Sequence, residues 1–178
     1  MADVTEAAPP LRFTTRDIPA PSRRKALYEL RGQGLLPIEP LPGRSPRVDL
    51  VKWRLPGAWI LAGRFTGVRQ GGESLPAGGG DYLFFGINVS GSSLAGQHGS
   101  VMTVGGGDAV AIDPALGPFS ITRAEPARMI GVRIPRCSVP ASAIGSRASP
   151  LRLGLPVQEL TFAPDPSFVP LLRARALP

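Results

Sequence analysis

The clearest pattern of apolar and polar positions along the chain lies between Tyr82 and Ser90. Successive side chains of a β-strand point to opposite faces, so this segment divides into two sets of alternating residues. One set is Leu83, Phe85, Ile87 and Val89, and the other includes Tyr82, Phe84, Asn88 and Ser90. Because the first set is entirely apolar, we expect it to form the core face of a strand.

Shorter strands surround this segment and are separated by turn signals. We predict them at residues 48–55, 58–65, 93–97, 101–104, 109–112, 119–123 and 129–134. Pro56 and Gly57 favour a tight turn, so the first two strands should form a hairpin. A series of about eight short strands joined by turns is typical of a sandwich or barrel. The sequence therefore predicts a mainly β protein.

The segments on either side of the strands are less regular. Residues 1–11 are predicted to form a disordered tail, and residues 13–17 a short extended segment. A short helix is expected over residues 22–31, with the Ser22 hydroxyl as its N-cap and Leu27 and Leu30 on its apolar stripe. Prolines exclude a long helix after residue 140, although residues 168–177 could hold one or two helical turns. We expect one domain over residues 12–140 and an irregular, proline-rich segment over residues 141–178.

The formal net charge is +7, but the positive residues are unevenly distributed. Twelve Lys and Arg residues lie between Arg12 and Arg69 and eight between Arg123 and Arg175, with none from Gln70 to Thr122. A nucleic-acid-binding protein usually concentrates such residues on one face or helix. We therefore favour a solvated positive surface over a phosphate-binding face.

The sequence contains no apolar run of the length that a membrane helix needs and no signal-peptide pattern. The single cysteine, Cys137, excludes an internal disulfide. One cysteine and one histidine fit a cytoplasmic protein better than a secreted scaffold. We expect a cytoplasmic location and no membrane partner.

Side chains for metal or nucleophilic catalysis are scarce. A zinc site needs several closely spaced ligands, whereas His98 and Cys137 are the sole His and Cys in the sequence. We interpret His98 as an exposed loop residue and Cys137 as a buried or half-buried structural thiol. Asp108 and Asp113 bracket a predicted strand and should lie at its two ends. We therefore expect no metal, no cofactor and no enzymatic activity.

Several short motifs follow one another in order between Phe13 and Arg136. They are Phe13-Thr14-Thr15, the arginine-bearing helix, Arg69 before a glycine-rich loop, Asp81-Tyr82-Leu83, Gly91, Gln97 and Gly99, Gly107-Asp108-Ala109-Val110 with Asp113-Pro114, and Val132-Arg133-Ile134-Pro135-Arg136. Together they resemble the AraC-binding-like domain, the N-terminal sensing domain of AraC-family transcriptional regulators. The resemblance implies a double-stranded β-helix of cupin type, a jelly-roll-like barrel, with a short N-terminal helix.

The resemblance also implies a regulatory function. Such domains bind a small effector inside the barrel or mediate dimerisation, and a C-terminal domain with two helix-turn-helix units binds DNA. The sequence stops at Pro178, and its proline-rich end departs from the family pattern. We expect a truncated, frame-shifted or excised chain without its DNA-binding half. A small-molecule effector and a second copy are the expected partners, without direct DNA binding.

Four polar residues on the predicted strands could contact an effector, because a buried polar group needs a partner. They are Tyr82, Asn88, Gln97 and Arg133. Trp53 and Trp59 could stack on a ligand, although large aromatic residues more often pack in the core. Two rival functions remain open: a standalone cupin-like enzyme or isomerase, and an interaction module that binds no ligand.

Overall fold

The computed structural model describes residues 9–72, 81–97 and 99–139. Within them the structure has eleven strands and one α-helix. The strands are β1 (Leu11–Thr14), β2 (Ile38–Pro40), β3 (Arg47–Leu55), β4 (Ala58–Thr66), β5 (Val68–Gly72), β6 (Tyr82–Ser90), β7 (Ser93–Gln97), β8 (Ser100–Val104), β9 (Ala109–Ile112), β10 (Phe119–Arg123) and β11 (Ala127–Pro135), and the helix is α1 (Arg23–Glu29).

The strands form two antiparallel sheets. The six-stranded sheet has the order β1-β3-β4-β11-β6-β9, and the five-stranded sheet has the order β2-β5-β10-β7-β8. From β4 onward the chain passes repeatedly between the sheets, so strands that are adjacent in space come from distant parts of the sequence. This order is that of a jelly roll, in which two sheets enclose one core. It confirms the predicted double-stranded β-helix.

The predicted strands are confirmed, with ends that differ by two residues or fewer. The β3–β4 hairpin is also confirmed, since Leu55 pairs with Ala58 and Gly57 adopts the left-handed φ of 71°. Two strands were missed, β2 and β5. The second was not predicted because it ends in Gly71 and Gly72, which were interpreted as flanking a glycine-rich loop. A side chain at Gly71 would meet the Phe119 carbonyl oxygen at 2.3 Å, so this strand requires glycine there.

The predicted core face of β6 is wrong. The opposite face, with Tyr82 and Phe84, packs in the core, while Phe85, Ile87 and Val89 are half-buried on the outer surface of the sheet. Of the predicted set, Leu83 alone is buried, at 6% exposure, and it lies outside the main core cluster. Phe84 is 0% exposed and lies over Gly86 and Gly131, which pair directly across β6 and β11. A Cβ atom at Gly131 would lie 2.9 Å from the Phe84 ring. The two glycines thus leave the space that this ring fills.

Helix α1 is shorter than predicted because 3₁₀ turns flank it at Ala20–Ser22 and Leu30–Gln33. Its apolar stripe is confirmed, since Leu27 and Leu30 are both buried. The predicted Ser22 cap is wrong: its side chain makes no capping hydrogen bond. Ser22 already has helical φ and ψ of −87° and −13° as the last residue of the first 3₁₀ turn. Its hydroxyl is therefore not placed as an N-cap hydroxyl would be.

Three further predictions concern the ends of the barrel. Strand β1 begins at Leu11, one residue inside the predicted tail. Cys137 is exposed, so its predicted burial is wrong; it lies in the 3₁₀ turn Arg136–Ser138 that follows β11. Most of the predicted disordered tail (residues 1–8), the predicted loop position of His98 and the proline-rich segment predicted over residues 141–178 lie outside the described residues. No helix in the part of the chain that the structure describes has the length and apolar character to cross a membrane.

Candidate functional site

A pocket of about 350 Å³ opens at one end of the barrel, where the inner faces of β3, β4, β6 and β11 meet. Strand register places Arg54 opposite Trp59, Trp59 opposite Arg133, and Arg133 opposite Phe84. The polar and aromatic side chains of its lining define the mouth pocket. They are Lys52, Arg54, Trp59, Asp81, Tyr82 and Arg133.

Lys52 is the most buried charged residue of the mouth pocket, at 5% exposure. Its Nζ donates hydrogen bonds to the carbonyl oxygens of Gln33 at 2.6 Å and Gly34 at 3.3 Å. It also lies 5.4 Å from the centre of the Trp59 ring. Burial lowers the pKa of Lys52 to about 8, and the positive charges of Arg54 and Arg133 act in the same direction. At neutral pH the pocket therefore holds an ammonium group whose charge is disfavoured by burial and by two neighbouring arginines.

Arg133 stacks on Tyr82, with its Cζ atom 3.6 Å from the ring centre. Burial raises the pKa of the Tyr82 hydroxyl, while Arg133 opposes this effect. Tyr82 therefore stays neutral at physiological pH. A guanidinium positioned by an aromatic ring in this way suits recognition of a carboxylate or phosphate, because its N–H groups can donate two parallel hydrogen bonds.

Trp59 also lines the mouth pocket, next to Arg133, with which it pairs across β4 and β11. Its ring centre lies 6.1 Å from that of Phe84, and the two planes are tilted by 52°. The indole Nε1 is buried and has no hydrogen-bond partner among the described residues. Buried Trp N–H groups usually find an acceptor, so this donor is left unsatisfied by the described residues.

The charge of the mouth pocket is unbalanced. Lys52, Arg54 and Arg133 contribute three positive charges, and Asp81 is the one carboxylate among the described residues that line the pocket. Within the described ranges, no carboxylate forms an ion pair with any of the three cations. The arrangement can therefore bind an anionic group through charge-assisted hydrogen bonds, next to two aromatic surfaces.

The structure brings two of the four predicted ligand residues together, namely Tyr82 and Arg133. Asn88 lies six residues from Tyr82 along β6, about 20 Å away at the rise of a strand. It is 3% exposed, and its side chain donates to the Val104 carbonyl at 2.7 Å and accepts from Ser93 Oγ at 3.0 Å. Asn88 thus has protein partners that join β6 to β7 and β8.

Gln97 is also outside the lining of the mouth pocket. Its Nε2 donates to the carbonyl oxygens of Asp113 at 2.6 Å and Gly117 at 3.4 Å, which holds the turn before β10. Asp108 and Asp113 flank β9 as predicted, and each carboxylate accepts a backbone N–H of the adjoining turn. A ligand contact for any of the four residues remains a prediction.

Sequence reasoning missed Lys52, although a signal was present. Val48, Leu50 and Lys52 alternate along β3, and all three are buried on its inner face. A lysine in an otherwise apolar register marks a charge directed into the barrel. The signal identifies a buried charge once this set of β3 side chains is known to face the barrel interior.

A second buried cation lies deeper in the barrel. Arg123 is 1% exposed and donates to Gln70 Oε1 at 2.5 Å and to the sulfur of Met129. Its Cζ lies 5.0 Å from the Phe65 ring centre, and Phe65 is six residues, about 20 Å, from Trp59 along β4. Burial lowers the pKa of Arg123 to about 9, which still leaves the guanidinium charged at neutral pH. Arg123 is thus separate from the mouth pocket.

No family model and no curated protein sequence matches the chain. Among solved structures, the AraC-like transcriptional activator CuxR is similar over 70% of this chain, with 21% identity and a TM-score of 0.53. The match covers 47% of CuxR, so the chain spans about half the length of that protein. The chain has a cupin-type fold. This follows from the strand order, and the likeness to CuxR agrees with it.

Two cupins are also similar, at lower scores. A cupin 2 conserved barrel domain protein from Salinispora arenicola shares 17% identity with a TM-score of 0.40, covering 52% of this chain and 78% of its own. A cupin-like protein from Thermotoga maritima shares 14% identity with a TM-score of 0.42, covering 53% of this chain and 73% of its own.

Proposed function

We propose that this cupin-type barrel is the effector-sensing domain of an AraC-type transcriptional regulator and that its mouth pocket binds a small anionic molecule. The observation that carries the proposal is the buried Lys52 ammonium beside Arg54 and Arg133, without an ion-pair partner among the described residues. A buried charge is costly unless it is paired. A ligand carboxylate or phosphate would supply the missing negative charge.

The aromatic side chains narrow the class of ligand. Trp59 and Tyr82 line the pocket beside the three cations, and the Trp59 Nε1 donor has no described partner. A volume of about 350 Å³ lies at the small end of the range for ligand pockets. The proposed effector is therefore a compact, flat acid whose acidic group contacts Lys52 and Arg133 while its ring lies against Trp59.

The regulatory part of the proposal rests on two supports. The ordered motifs from Phe13 to Arg136 resemble the AraC-type sensing domain, and the AraC-like activator CuxR shares the fold over about half of its own length. In such a regulator the barrel would act as a homodimeric module in the cytoplasm. A separate domain would bind DNA, and the effector would alter how two barrels associate.

The ligand is tested by a thermal-shift screen of the purified chain against aromatic carboxylates and small phosphorylated metabolites. We expect at least one compound to raise Tm in a concentration-dependent way, since a ligand that binds the native state stabilises it. Arg133→Gln should remove the rise. Arg47→Gln is the matched control, because Arg47 is an exposed arginine at the far end of β3 from the mouth pocket.

Regulation is tested by sedimentation of the chain with and without the compound that the screen identifies. We expect the monomer–dimer equilibrium to shift at least severalfold and the shift to disappear in Arg133→Gln. A compound that binds tightly and leaves the association state unchanged would contradict a sensing role. A screen in which Arg133→Gln and Arg47→Gln respond like the parent chain would refute the mouth pocket itself.

One observation favours a second candidate, a cupin-like enzyme that uses Lys52. A lysine with a pKa of about 8 is partly neutral near physiological pH, as a general base or a carbonyl-attacking amine must be. Lys52→Arg separates the candidates, because arginine keeps the charge but cannot supply a neutral amine. An effector site should retain most of its affinity in this variant, whereas an enzyme would lose its turnover.

A further inference from the structure

A second groove, separate from the barrel interior, lies on the outer face of the six-stranded sheet and has a volume of about 710 Å³. Strand register explains its composition. Thr14 pairs with Asp49, Asp49 with Arg64, and Arg64 with Arg128, so one row of polar side chains crosses β1, β3, β4 and β11. The next row along the same face contains Arg12, Val51 and Ala62.

The charged residues of this groove, here called the outer groove, are predominantly basic. They are Arg12, Arg16, Asp17, Asp49, Arg64 and Arg128. Asp49 is already engaged, since it accepts a hydrogen bond from the Thr14 hydroxyl and pairs with Arg16 at 3.3 Å. Arg12 and Arg64 are exposed and form no ion pair with any residue that the structure describes. The groove therefore has an excess of guanidinium groups.

The pairing of Arg64 with Arg128 is notable because the two residues lie directly opposite on adjacent strands. Like charges in this arrangement repel each other and destabilise a sheet. An anion beside Arg64 would offset this unfavourable contact. Guanidinium groups prefer oxyanions that accept two parallel hydrogen bonds, and phosphate is the foremost of these.

Trp53 supplies an aromatic surface next to this basic row. It lies on the outer face of β3, two residues from Val51, and is half-buried in the lining of the outer groove. Arg12 and Ala62 flank Val51 on the two sides of β3, so a small residue lies beside Val51 on the β4 side of the groove. A half-buried indole beside arginines is the combination by which proteins stack a nucleobase while they hold its phosphate.

From this juxtaposition we infer that the outer groove binds a nucleotide, with its phosphate groups on Arg12 and Arg64 and its base against Trp53. Part of the net positive charge would then bind phosphate, whereas the sequence alone favoured a solvated positive surface. The inference is independent of the mouth pocket, because the two sites lie on opposite faces of β3 and share no lining residue.

The inference is tested by isothermal titration of the intact chain with ADP, GDP, CDP, UDP and inorganic pyrophosphate at low and moderate salt. We expect at least one nucleoside diphosphate to bind about tenfold more tightly than pyrophosphate, because stacking on Trp53 adds to the phosphate contacts. Arg12→Gln and Arg64→Gln should each weaken binding about tenfold, and Trp53→Ala should bring the nucleotide to the affinity of pyrophosphate. All three side chains are exposed or half-buried, so these variants should fold.

Arg24→Gln is the matched control, since Arg24 is an exposed arginine on α1 outside the groove. Arg133→Gln should leave nucleotide affinity unchanged, so a failure of the mouth pocket and a failure of the outer groove are distinguishable. Equal weakening by Arg24→Gln and Arg64→Gln would overturn the inference in favour of non-specific charge. The inference would also be overturned if no binding were measurable at low salt, or if pyrophosphate and every nucleotide bound with equal affinity. Tighter binding of a single-stranded oligonucleotide through the same arginines would overturn it as well.

Discussion

The buried ammonium of Lys52 should make the stability of the barrel rise with pH. Its pKa is about 8 in the folded chain against the ordinary value of 10.5. Between these values the unfolded chain binds more protons than the folded chain, so the free energy of unfolding increases as pH increases. Below pH 8 the cost of holding the charged form is present in full. Above about pH 10.5 it disappears.

The size of the effect follows from the two pKa values. At about 1.4 kcal/mol per pH unit, the lowered pKa corresponds to a cost of about 3 kcal/mol at neutral pH. About 2 kcal/mol of this should be recovered by pH 10, because the unfolded lysine is still mostly protonated there. Such a change is a large part of the stability of a domain of this size.

The measurement is urea unfolding of the parent chain and Lys52→Met at several pH values from 7 to 10. The variant is essential because Arg123, with a pKa of about 9, contributes a rise of the same sign above pH 9. Tyr82, whose pKa is raised, acts in the opposite sense above its ordinary value of 10, outside the chosen range. The difference between the two curves therefore isolates Lys52, with Asp81, Arg54 and Arg133 as its charged neighbours in the pocket.

Parallel curves for the parent chain and Lys52→Met between pH 7.5 and 10 would refute this account of the pocket. An anionic effector provides a further check. Because a bound anion favours the protonated lysine, it should move the rise in the free energy of unfolding to higher pH. The affinity of the anion should weaken as pH increases past 8. A ligand whose affinity is constant from pH 7 to 10 would not be in contact with Lys52.

Two other predictions concern the barrel. Phe84→Ala should cost about 3–5 kcal/mol because it empties the slot over Gly131, whereas Phe85→Ala on the outer face should cost clearly less; equal losses in urea unfolding would contradict the assigned faces. Asn88→Ala should cost about 1–3 kcal/mol, since it leaves the Val104 carbonyl unpaired, and effector affinity at the mouth pocket should stay the same. A stable variant with weakened effector binding would instead favour the original prediction that Asn88 contacts the ligand.

The positions of the strands could be predicted from the sequence because their signals are local. Alternation along residues 82–90 and the Pro56-Gly57 turn each involve neighbouring residues, and the corresponding strand and hairpin are confirmed. The cupin-type barrel was implied by the resemblance of the ordered motifs to a known family. Strand β5 (Val68–Gly72) was not predicted because its sequence lacks an alternation of apolar and polar residues. The strand is held by pairing with β2 and β10.

The tertiary structure decided which face of each strand is inside. A period of two divides β6 into two sets but does not say which set faces the core, and here both sets contain large apolar residues. The choice depends on Gly86 and Gly131, which come together only when β6 pairs with β11 and leave room for Phe84.

For the same reason, the two sites could not be predicted from the sequence alone. Tyr82 and Arg133 are 51 positions apart, and Lys52 and Trp53 are neighbours that belong to different sites. Barrel closure brings the first pair into contact and directs the second pair to opposite faces of one strand. Local sequence determines where a strand runs, whereas only the packed sheets determine where its side chains meet.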